Sequence, residues 1–236
     1  MMKTERKAAD RKPAGKKAAA PRKTDEASRR TGSGRRMTET YEKEPKFEKE
    51  TWKGGNMLYP LPVVLVSVGD GKDPDKDNML TVAWAGTICS DPPMVSISVR
   101  PERYSYQTLM NTGEFVINLP TERMVQAVDY CGVKSGKDVN KWEKTGLHKI
   151  PADKVSAPMI GESSVNLECK VREKKKLGSH TMFTAEVVAV HADKTFMDAK
   201  HKFHLEWSKP IVYSHGTYYS LGKVLGTFGY SVKSKH

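Results

Sequence analysis

The chain has 236 residues, a formal net charge of +12 and 37% hydrophobic residues. This length allows one folded domain with a short extension. No apolar run approaches the roughly 18 residues that a membrane-spanning helix requires, so we expect no membrane association. The three cysteines show no CxxC and no metal-ligand spacing, which is typical of a reduced, cytoplasmic protein and predicts no metal site.

Most of the positive charge lies at the N-terminus. Residues 1–36 contain 13 Lys or Arg against 4 Asp or Glu, which leaves a net charge of only +3 for the rest of the chain. A segment of this composition cannot bury enough apolar surface to offset its ordering entropy. We therefore predict a basic disordered tail over residues 1–46 and a folded domain over residues 47–236. The alternative is an electrostatic arm for nucleic acid, but we expect no nucleic-acid partner because no recognition motif accompanies the charge.

Six segments have the apolar runs or the period-two alternation of β-strands. They are residues 62–68, 80–84, 95–99, 115–119, 165–171 and 183–190. Three short helices are predicted between them. They run from Pro101 to Gly113, from Thr121 to Gly132, and from Asp138 to Lys144. Many strands with few helices predict a mainly β fold, a barrel with peripheral helices.

The segment at residues 78–93 has features of a binding site. A strand there opens into the small residues Ala83, Ala85 and Gly86 and ends in an Asp-Pro-Pro turn. Small side chains let a flat ring approach the backbone, whose N–H groups can then bond the polar edge of the ring. The alternative is an ordinary strand and loop, which composition alone favours.

The segment at residues 98–106 has the features of a phosphate site. A strand ends at Arg100 and is predicted to enter a helix whose first turn carries Arg103 and Ser105. Backbone amides at a helix N-terminus bind phosphate, and arginine adds charge-assisted hydrogen bonds. The alternative is a solvated basic turn in which Arg103 pairs with a nearby acid, and the residues alone do not decide between the two.

Together these segments resemble the flavin reductase-like domain family, the FMN-binding split-barrel group. The resemblance runs from about Met57 to Gly229. Its carriers are N-x-x-T-x-x-W at 78–84, S-D-P-P at 90–93, S-x-R-P-x-R-Y-S at 98–105, N-T-G-E-F-V-I-N at 111–118, Y-C-G at 130–132, S-G-K-D-V-N-K-W at 135–142, G-S-H at 178–180 and the ending at 211–222.

The resemblance implies a Greek-key split β-barrel that forms a homodimer with FMN in the cleft between subunits. It further implies an oxidoreductase that passes electrons from NADH or NADPH through FMN to free flavin, a ferric chelate or a partner protein. A flavoredoxin-type carrier, which holds FMN tightly and is reduced by a partner protein, is the alternative.

The resemblance also implies roles for individual residues. Those expected near the flavin ring and the ribityl chain are Asn78, Met79, Thr81, Ala83, Trp84, Ala85 and Thr87. Those expected around the ribityl and phosphate end are Ser98, Val99, Arg100, Arg103, Tyr104 and Ser105, with Lys141 as a further phosphate candidate. His180 is expected beside the ring as the catalytic residue, positioning the nicotinamide or a second substrate. A turn histidine before a strand is the alternative for that position.

Overall fold

The computed structural model describes residues 46–232. Backbone contacts divide the chain after Gly54. Residues 46–54 are exposed and carry no helix or strand. The predicted disordered tail lies, apart from Lys46, outside the described residues, and the boundary at 46/47 stays a prediction.

From Gly55 onward the described residues form mostly β structure. The strands are β1 (Leu61–Pro62), β2 (Val64–Val68), β3 (Asn78–Val82), β4 (Ala85–Ser90), β5 (Pro93–Val99), β6 (Glu114–Leu119), β7 (Lys149–Ile150), β8 (Met159–Ile160), β9 (Val165–Leu177), β10 (His180–Ala192), β11 (Ile211–Ser214) and β12 (Thr217–Ser220). The α-helices are α1 (Tyr106–Thr112), α2 (Val125–Val133) and α3 (Lys141–Thr145).

Seven strands form one antiparallel sheet in the order β3-β2-β6-β9-β10-β5-β4, and β1, β11 and β12 form a smaller sheet. Leu80 and Val82 at one edge of the large sheet share a buried cluster with Ile97 and Val99 near its other edge. The sheet therefore curls around this core. This arrangement confirms the predicted mainly β barrel with few helices.

Side-chain alternation explains why these segments form strands. In β5, Val95, Ile97 and Val99 are buried, while Ser96 and Ser98 are only half-buried. β-branched residues pack well on a pleated surface, and full burial of each such side chain stabilises the fold by roughly 1.5–3 kcal/mol. The register of β5 is therefore determined by its apolar face, and Arg100 follows where the strand ends.

A second core fixes the helices against β3. Met79 packs there with Val128 and Cys131 of α2 and with Trp142 of α3. Thr81, on the same strand, donates its hydroxyl to the carbonyl of Val128. This packing holds the C-terminal end of α2 beside the end of β3, where the candidate site lies.

The first predicted helix is shorter than expected. Residues 101–105 form successive turns, in which the Arg103 amide donates to the Arg100 carbonyl at 3.1 Å and the Tyr106 amide to the Arg103 carbonyl at 2.8 Å. The helix begins only at Tyr106, so the prediction that Arg103 and Ser105 belong to its first turn is wrong. Ser105 makes no side-chain cap, and its hydroxyl accepts a hydrogen bond from the Asn78 side chain.

The other two helices also differ at their ends. Thr121 precedes a 3-10 turn without capping it through its side chain, and α2 continues through Gly132 to Val133. The third helix begins at Lys141, because the side chain of Asn140 caps it. It ends at the left-handed Gly146, as the sequence predicts.

The predicted strand at 80–84 ends two residues earlier than expected. β3 ends at Val82, the chain bends at Ala83 and Trp84, and β4 continues from Ala85. The strands β9 and β10 are longer than predicted, because their hairpin extends beyond the core through Lys174–Lys176.

No helix among the described residues is both long and apolar enough to cross a membrane. Cys89, Cys131 and Cys169 are all free thiols.

Candidate functional site

A cleft of about 680 Å³ opens where the ends of β3 and β5 meet the C-terminal end of α2. The β9–β10 hairpin and the small sheet complete its walls. A concave site of this size is typical of a small-molecule or cofactor site. The residues that line it include Leu80–Trp84, Ser98–Arg100, Arg103, Asp129, Gly132, Val133, Ser179, His180, Tyr213, Gly216 and Tyr218.

Two aromatic side chains form one wall of the cleft. Trp84 and His180 lie nearly parallel, at an angle of 9° with 6.1 Å between ring centroids. The bend that presents Trp84 is held by its carbonyl, which accepts from the Ser98 amide at 2.8 Å. Trp84 is 41% exposed, so its ring offers apolar surface to a ligand in the cleft.

Two arginines make another wall positive. Arg100 and Arg103 are both exposed and line the cleft. Arg103 donates to the carbonyl of Gly132 at 3.0 Å, which orients its guanidinium along α2. Within residues 46–232, neither arginine forms an ion pair with a carboxylate, so their charges are available to an anion. The described residues therefore do not contain the alternative arrangement, an ion pair between Arg103 and an acidic side chain.

Beyond Arg103 lies a small recess of about 70 Å³. Its walls include Asn78, Arg103, Ser105, Gly136 and Lys141. Asn78 is buried and donates to the Ser105 hydroxyl at 2.8 Å. A Cβ on Gly136 would come within 2.5 Å of the Asn78 side chain, so this wall requires glycine.

Lys141 brings a buried amine to this recess. Its side chain is 3% exposed, and Nζ donates to the carbonyls of Met79 at 2.8 Å and Cys131 at 2.9 Å. Burial lowers the pKa of Lys141 to about 8. An ammonium has three donors, so these two bonds leave one N–H for another acceptor. The recess therefore offers hydrogen-bond donors and positive charge at a scale that suits a phosphate group.

A hydrogen-bonded Tyr–Asp pair also lines the cleft. The Tyr218 hydroxyl donates to the Asp129 carboxylate at 3.2 Å. Burial, followed by the charge of Asp129, raises the pKa of Tyr218 to about 12, so the hydroxyl stays protonated at neutral pH.

The structure brings most of the predicted residues to one site. Thr81, Ala83, Trp84, Ser98, Val99, Arg100, Arg103 and His180 line the main cleft. Asn78, Tyr104, Ser105 and Lys141 line the recess, and Ala85 lines a groove that adjoins the cleft.

Met79 and Thr87 are not brought to the cleft. Met79 lies fully buried beneath α2, because it occupies a position of β3 that the helix covers. Thr87 is exposed on β4, beyond the bend that faces the cleft.

Several lining residues were not predicted as site residues. Asp129, Val133, Tyr213 and Tyr218 all contact the cleft. Tyr213 and Tyr218 lie in the segment at residues 211–222, which resembles the end of the family's domain. That resemblance predicts the fold but does not predict that these two side chains line the cleft. Their place depends on the pairing of β1 with β11, a contact between segments about 150 residues apart that no local pattern reveals.

The fold and the cleft are those of a known class of proteins. The model of the flavin reductase like domain matches residues 56–222, and the chain belongs to this family. An uncharacterized protein of Pyrococcus abyssi is 31% identical over 173 residues, which is 70% of this chain and 98% of the relative.

Solved structures support the same assignment. The flavoredoxin of Desulfovibrio vulgaris (Miyazaki F) has a TM-score of 0.71 and 28% identity, covering 79% of this chain and all of that one. A Shewanella frigidimarina protein described with a split barrel domain has a TM-score of 0.63 and 22% identity, covering 72% of this chain and 86% of that one. The predicted split-barrel fold is confirmed.

The surroundings of His180 in the cleft shift the pKa of its side chain. Partial burial and the charges of Arg100 and Arg103 lower the pKa of His180, so its imidazole is neutral at pH 7. We expect Arg100→Ala to raise the pKa of His180, because a nearby positive charge is removed. An NMR titration of the histidine ring protons measures this value.

His204 is the matched control for this titration. Hydrogen bonds to Asp198 and Glu206 raise its pKa, and Arg100 is not among the causes. Arg100→Ala should leave the pKa of His204 unchanged. A shift of both histidines, or of neither, would contradict the assigned origin of the His180 shift.

Proposed function

We propose that this protein is an FMN-binding oxidoreductase that passes electrons from NADH or NADPH through FMN to an acceptor. The acceptor class is free flavin, a ferric chelate or a partner protein. The observation that carries the proposal is a single cleft with an aromatic wall at Trp84 and His180 and a positive recess at Arg103 and Lys141. Membership in the flavin reductase-like family supports it.

The donor set suits the phosphate of FMN. Arginine and lysine are the side chains that bind phosphate most effectively, the first through a fork of N–H groups and the second as a point charge. Arg100 and Arg103 face the cleft, and Lys141 faces the recess with Ser105 beside it. These residues would hold the phosphate.

The other end of the cleft suits a planar ring. Ala83 at the bend is small, and the Trp84 indole beside it is exposed, so a ring can lie against both. When bound, FMN would supply the chemistry of hydride acceptance followed by one- or two-electron transfer. The protein's part is to bind the cofactor, orient it and exclude water from it.

His180 is placed to position a second substrate. It lines the cleft beside Trp84, and its Nδ1 is held at 2.9 Å from the Ser179 hydroxyl. Its neutral imidazole leaves Nε2 free to make one hydrogen bond with a nicotinamide or acceptor. The Tyr218–Asp129 pair offers a further polar contact across the cleft.

We include in the proposal a homodimer, with the cleft at the boundary between subunits, and a cytoplasmic location. The dimer follows from the family resemblance, and the three free thiols fit a reducing compartment.

The visible spectrum of protein purified without added flavin tests the cofactor. Bands of oxidised flavin are expected after gel filtration or after reconstitution with FMN. The reconstituted protein is then mixed with NADH or NADPH, and oxidation of the nicotinamide is followed. The absence of flavin binding under both conditions would overturn the proposal.

The second candidate is a flavoredoxin-type electron carrier. The 28% identity to a flavoredoxin, over the whole length of that chain, favours it. Retention of FMN without direct oxidation of NADH or NADPH would support this candidate and would exclude the reductase.

The role of His180 gives a separate prediction. We expect His180→Ala to lower kcat/KM for the nicotinamide donor about 10-fold, the effect of roughly one lost hydrogen bond. The affinity for FMN should change less, because the arginines remain. Steady-state kinetics and fluorescence titration measure the two quantities, with His204→Ala as a control that should alter neither. An unchanged kcat/KM in His180→Ala would remove His180 from the site.

A further inference from the structure

The chain that follows β12 is an apolar arm with almost no cover. We define the C-terminal arm as Leu221–Val232. Its side chains at Val224, Leu225 and Phe228 are 80%, 84% and 106% exposed. Leu221, Tyr230 and Val232 are also more than half exposed. Turns at Thr227–Tyr230 and Gly229–Val232 hold the end of the arm without packing it on the barrel.

An arm of this composition requires a partner surface. Lone exposed apolar residues are normal, but a contiguous patch larger than a few hundred Å² marks an interaction site. Within the arm only Lys223 is charged. Covering it would bury on the order of 800 Å², the contribution of one partner to a standard stable interface.

The barrel carries a second set of uncovered apolar residues. Trp84 at the cleft, Ile88 on β4 and Val190 on β10 are each at least 41% exposed. β4 is an edge strand of the seven-stranded sheet, so its outer backbone groups are also unpaired within the described chain. Edge strands of this kind are usually covered by another segment or another chain.

A second copy of the chain satisfies both surfaces at once. Under two-fold symmetry the arm of each copy covers the barrel of the other, so one contact is made twice. Residues 221–226, which precede these turns, reach up to about 20 Å when extended, and they carry the turns at the end of the arm toward a neighbouring barrel. Because each arm and the surface that it covers both lose accessible area, the two exchanged contacts together would bury on the order of 3,000 Å².

We propose that the C-terminal arm is exchanged between two copies, each arm packing on Ile88 and the β4 edge of the other. The arm starts three residues after Tyr218, a wall of the cleft, and Trp84 forms another wall. The exchanged contact therefore borders the cleft, and dissociation of the dimer uncovers it. Only this effect on the cleft rests on the proposed function.

The oligomeric state of the full chain tests the exchange. Sedimentation velocity from about 1 to 100 μM, around the micromolar range of moderate complexes, is expected to show a dimer. For the double variant Leu225→Asp/Phe228→Asp, we expect the dissociation constant of the dimer to rise at least ~100-fold, because two central apolar contacts are lost. Circular dichroism should be unchanged, since neither side chain contacts its own barrel.

Lys223→Glu is the matched control, because it alters the charge of the same arm without removing an apolar side chain. It should remain dimeric. A monomeric wild-type chain, or a double variant that dimerises like the wild type, would overturn the proposal. The proposal would also be overturned if the wild-type chain bound to phosphatidylcholine vesicles through this arm as a monomer.

Photo-crosslinking identifies the contact itself. A benzophenone amino acid replaces Phe228 in a mixture of ¹⁴N and ¹⁵N chains. Crosslinks between light and heavy chains, at the peptide that contains Trp84 and Ile88, are expected. Crosslinks confined to one chain would contradict exchange.

Flavin affinity is measured separately on the same samples. Weaker FMN binding by Leu225→Asp/Phe228→Asp than by Lys223→Glu is expected. If the exchange is found but no sample binds flavin, the proposed function fails and the exchanged arm stands.

Discussion

Replacement of Arg100 or Arg103 by alanine is expected to weaken FMN binding by about 1.5–3 kcal/mol, which is roughly 10- to 150-fold in Kd. This range is that of a hydrogen bond to a charged group. Both side chains line the cleft and have no carboxylate partner among residues 46–232, so alanine removes an attraction without freeing an acid. Their effects should not be additive in the double variant, because the two charges would act on one phosphate.

The test compares two ligands and three variants at one salt concentration. FMN and riboflavin differ only in the phosphate, so Arg100→Ala and Arg103→Ala should weaken FMN and leave riboflavin nearly unchanged. Arg172→Ala is the control variant, because Arg172 lies on β9, pairs with Glu186 and does not line the cleft. Equal losses for both ligands would mean that the arginines act on the ring end, and no loss for either would remove them from the site.

Apart from His180, the predicted residues found in the main cleft lie in two runs of local sequence. Alternation in β5 gives its register, and Arg100 then follows at the strand end. The small residues at Ala83 and Ala85 mark the bend, and Trp84 is presented there. Such features are readable because a strand's inward and outward positions follow from a period of two.

The remaining walls depend on long-range packing. Asp129 faces the cleft because Val128 and Cys131 of the same helix, α2, pack on Met79. The recess exists because Gly136 leaves room for Asn78, a contact between residues 58 positions apart. A sequence pattern gives the elements but not the angle at which a helix crosses a sheet.

The extension of β9 shows a different limit. Lys174–Lys176 continue the strand beyond the core, where neither face is buried. Without an apolar face, alternation gives no signal, and the hairpin forms through backbone pairing with β10. The helix predicted from Pro101 is also shorter than expected, because local turns replace its first helical turn.

The second large effect concerns the stability contributed by Lys141. Its pKa in the folded chain is about 8, against the usual 10.5, because burial disfavours its charge. Between pH 8 and 10.5 the folded chain has released this proton while the unfolded chain retains it. Unfolding then takes up a proton, so the free energy of unfolding should rise with pH in this window. The amplitude is on the order of 3 kcal/mol.

The titration of the Cys131 thiol also changes the free energy of unfolding with pH, so its contribution must be removed before that of Lys141 is measured. Burial raises the pKa of its thiol to about 11, which makes the unfolded chain ionise first and lowers stability between pH 9 and 11. Denaturant unfolding is therefore measured for Cys131→Ala and for Cys131→Ala/Lys141→Met. The difference between them should rise from pH 8 to 10.5, and a flat difference would mean that Lys141 keeps its ordinary pKa.

The same titration separates a structural lysine from a phosphate ligand. If Lys141 donates its third N–H to the FMN phosphate, binding requires the ammonium, and the Kd for FMN should weaken by up to about 10-fold per pH unit above pH 8. Riboflavin should show no such dependence, and neither should FMN with Cys131→Ala/Lys141→Met. A lysine that only joins the carbonyls of Met79 and Cys131 would give the stability change without the affinity change, because its charge would not face the phosphate.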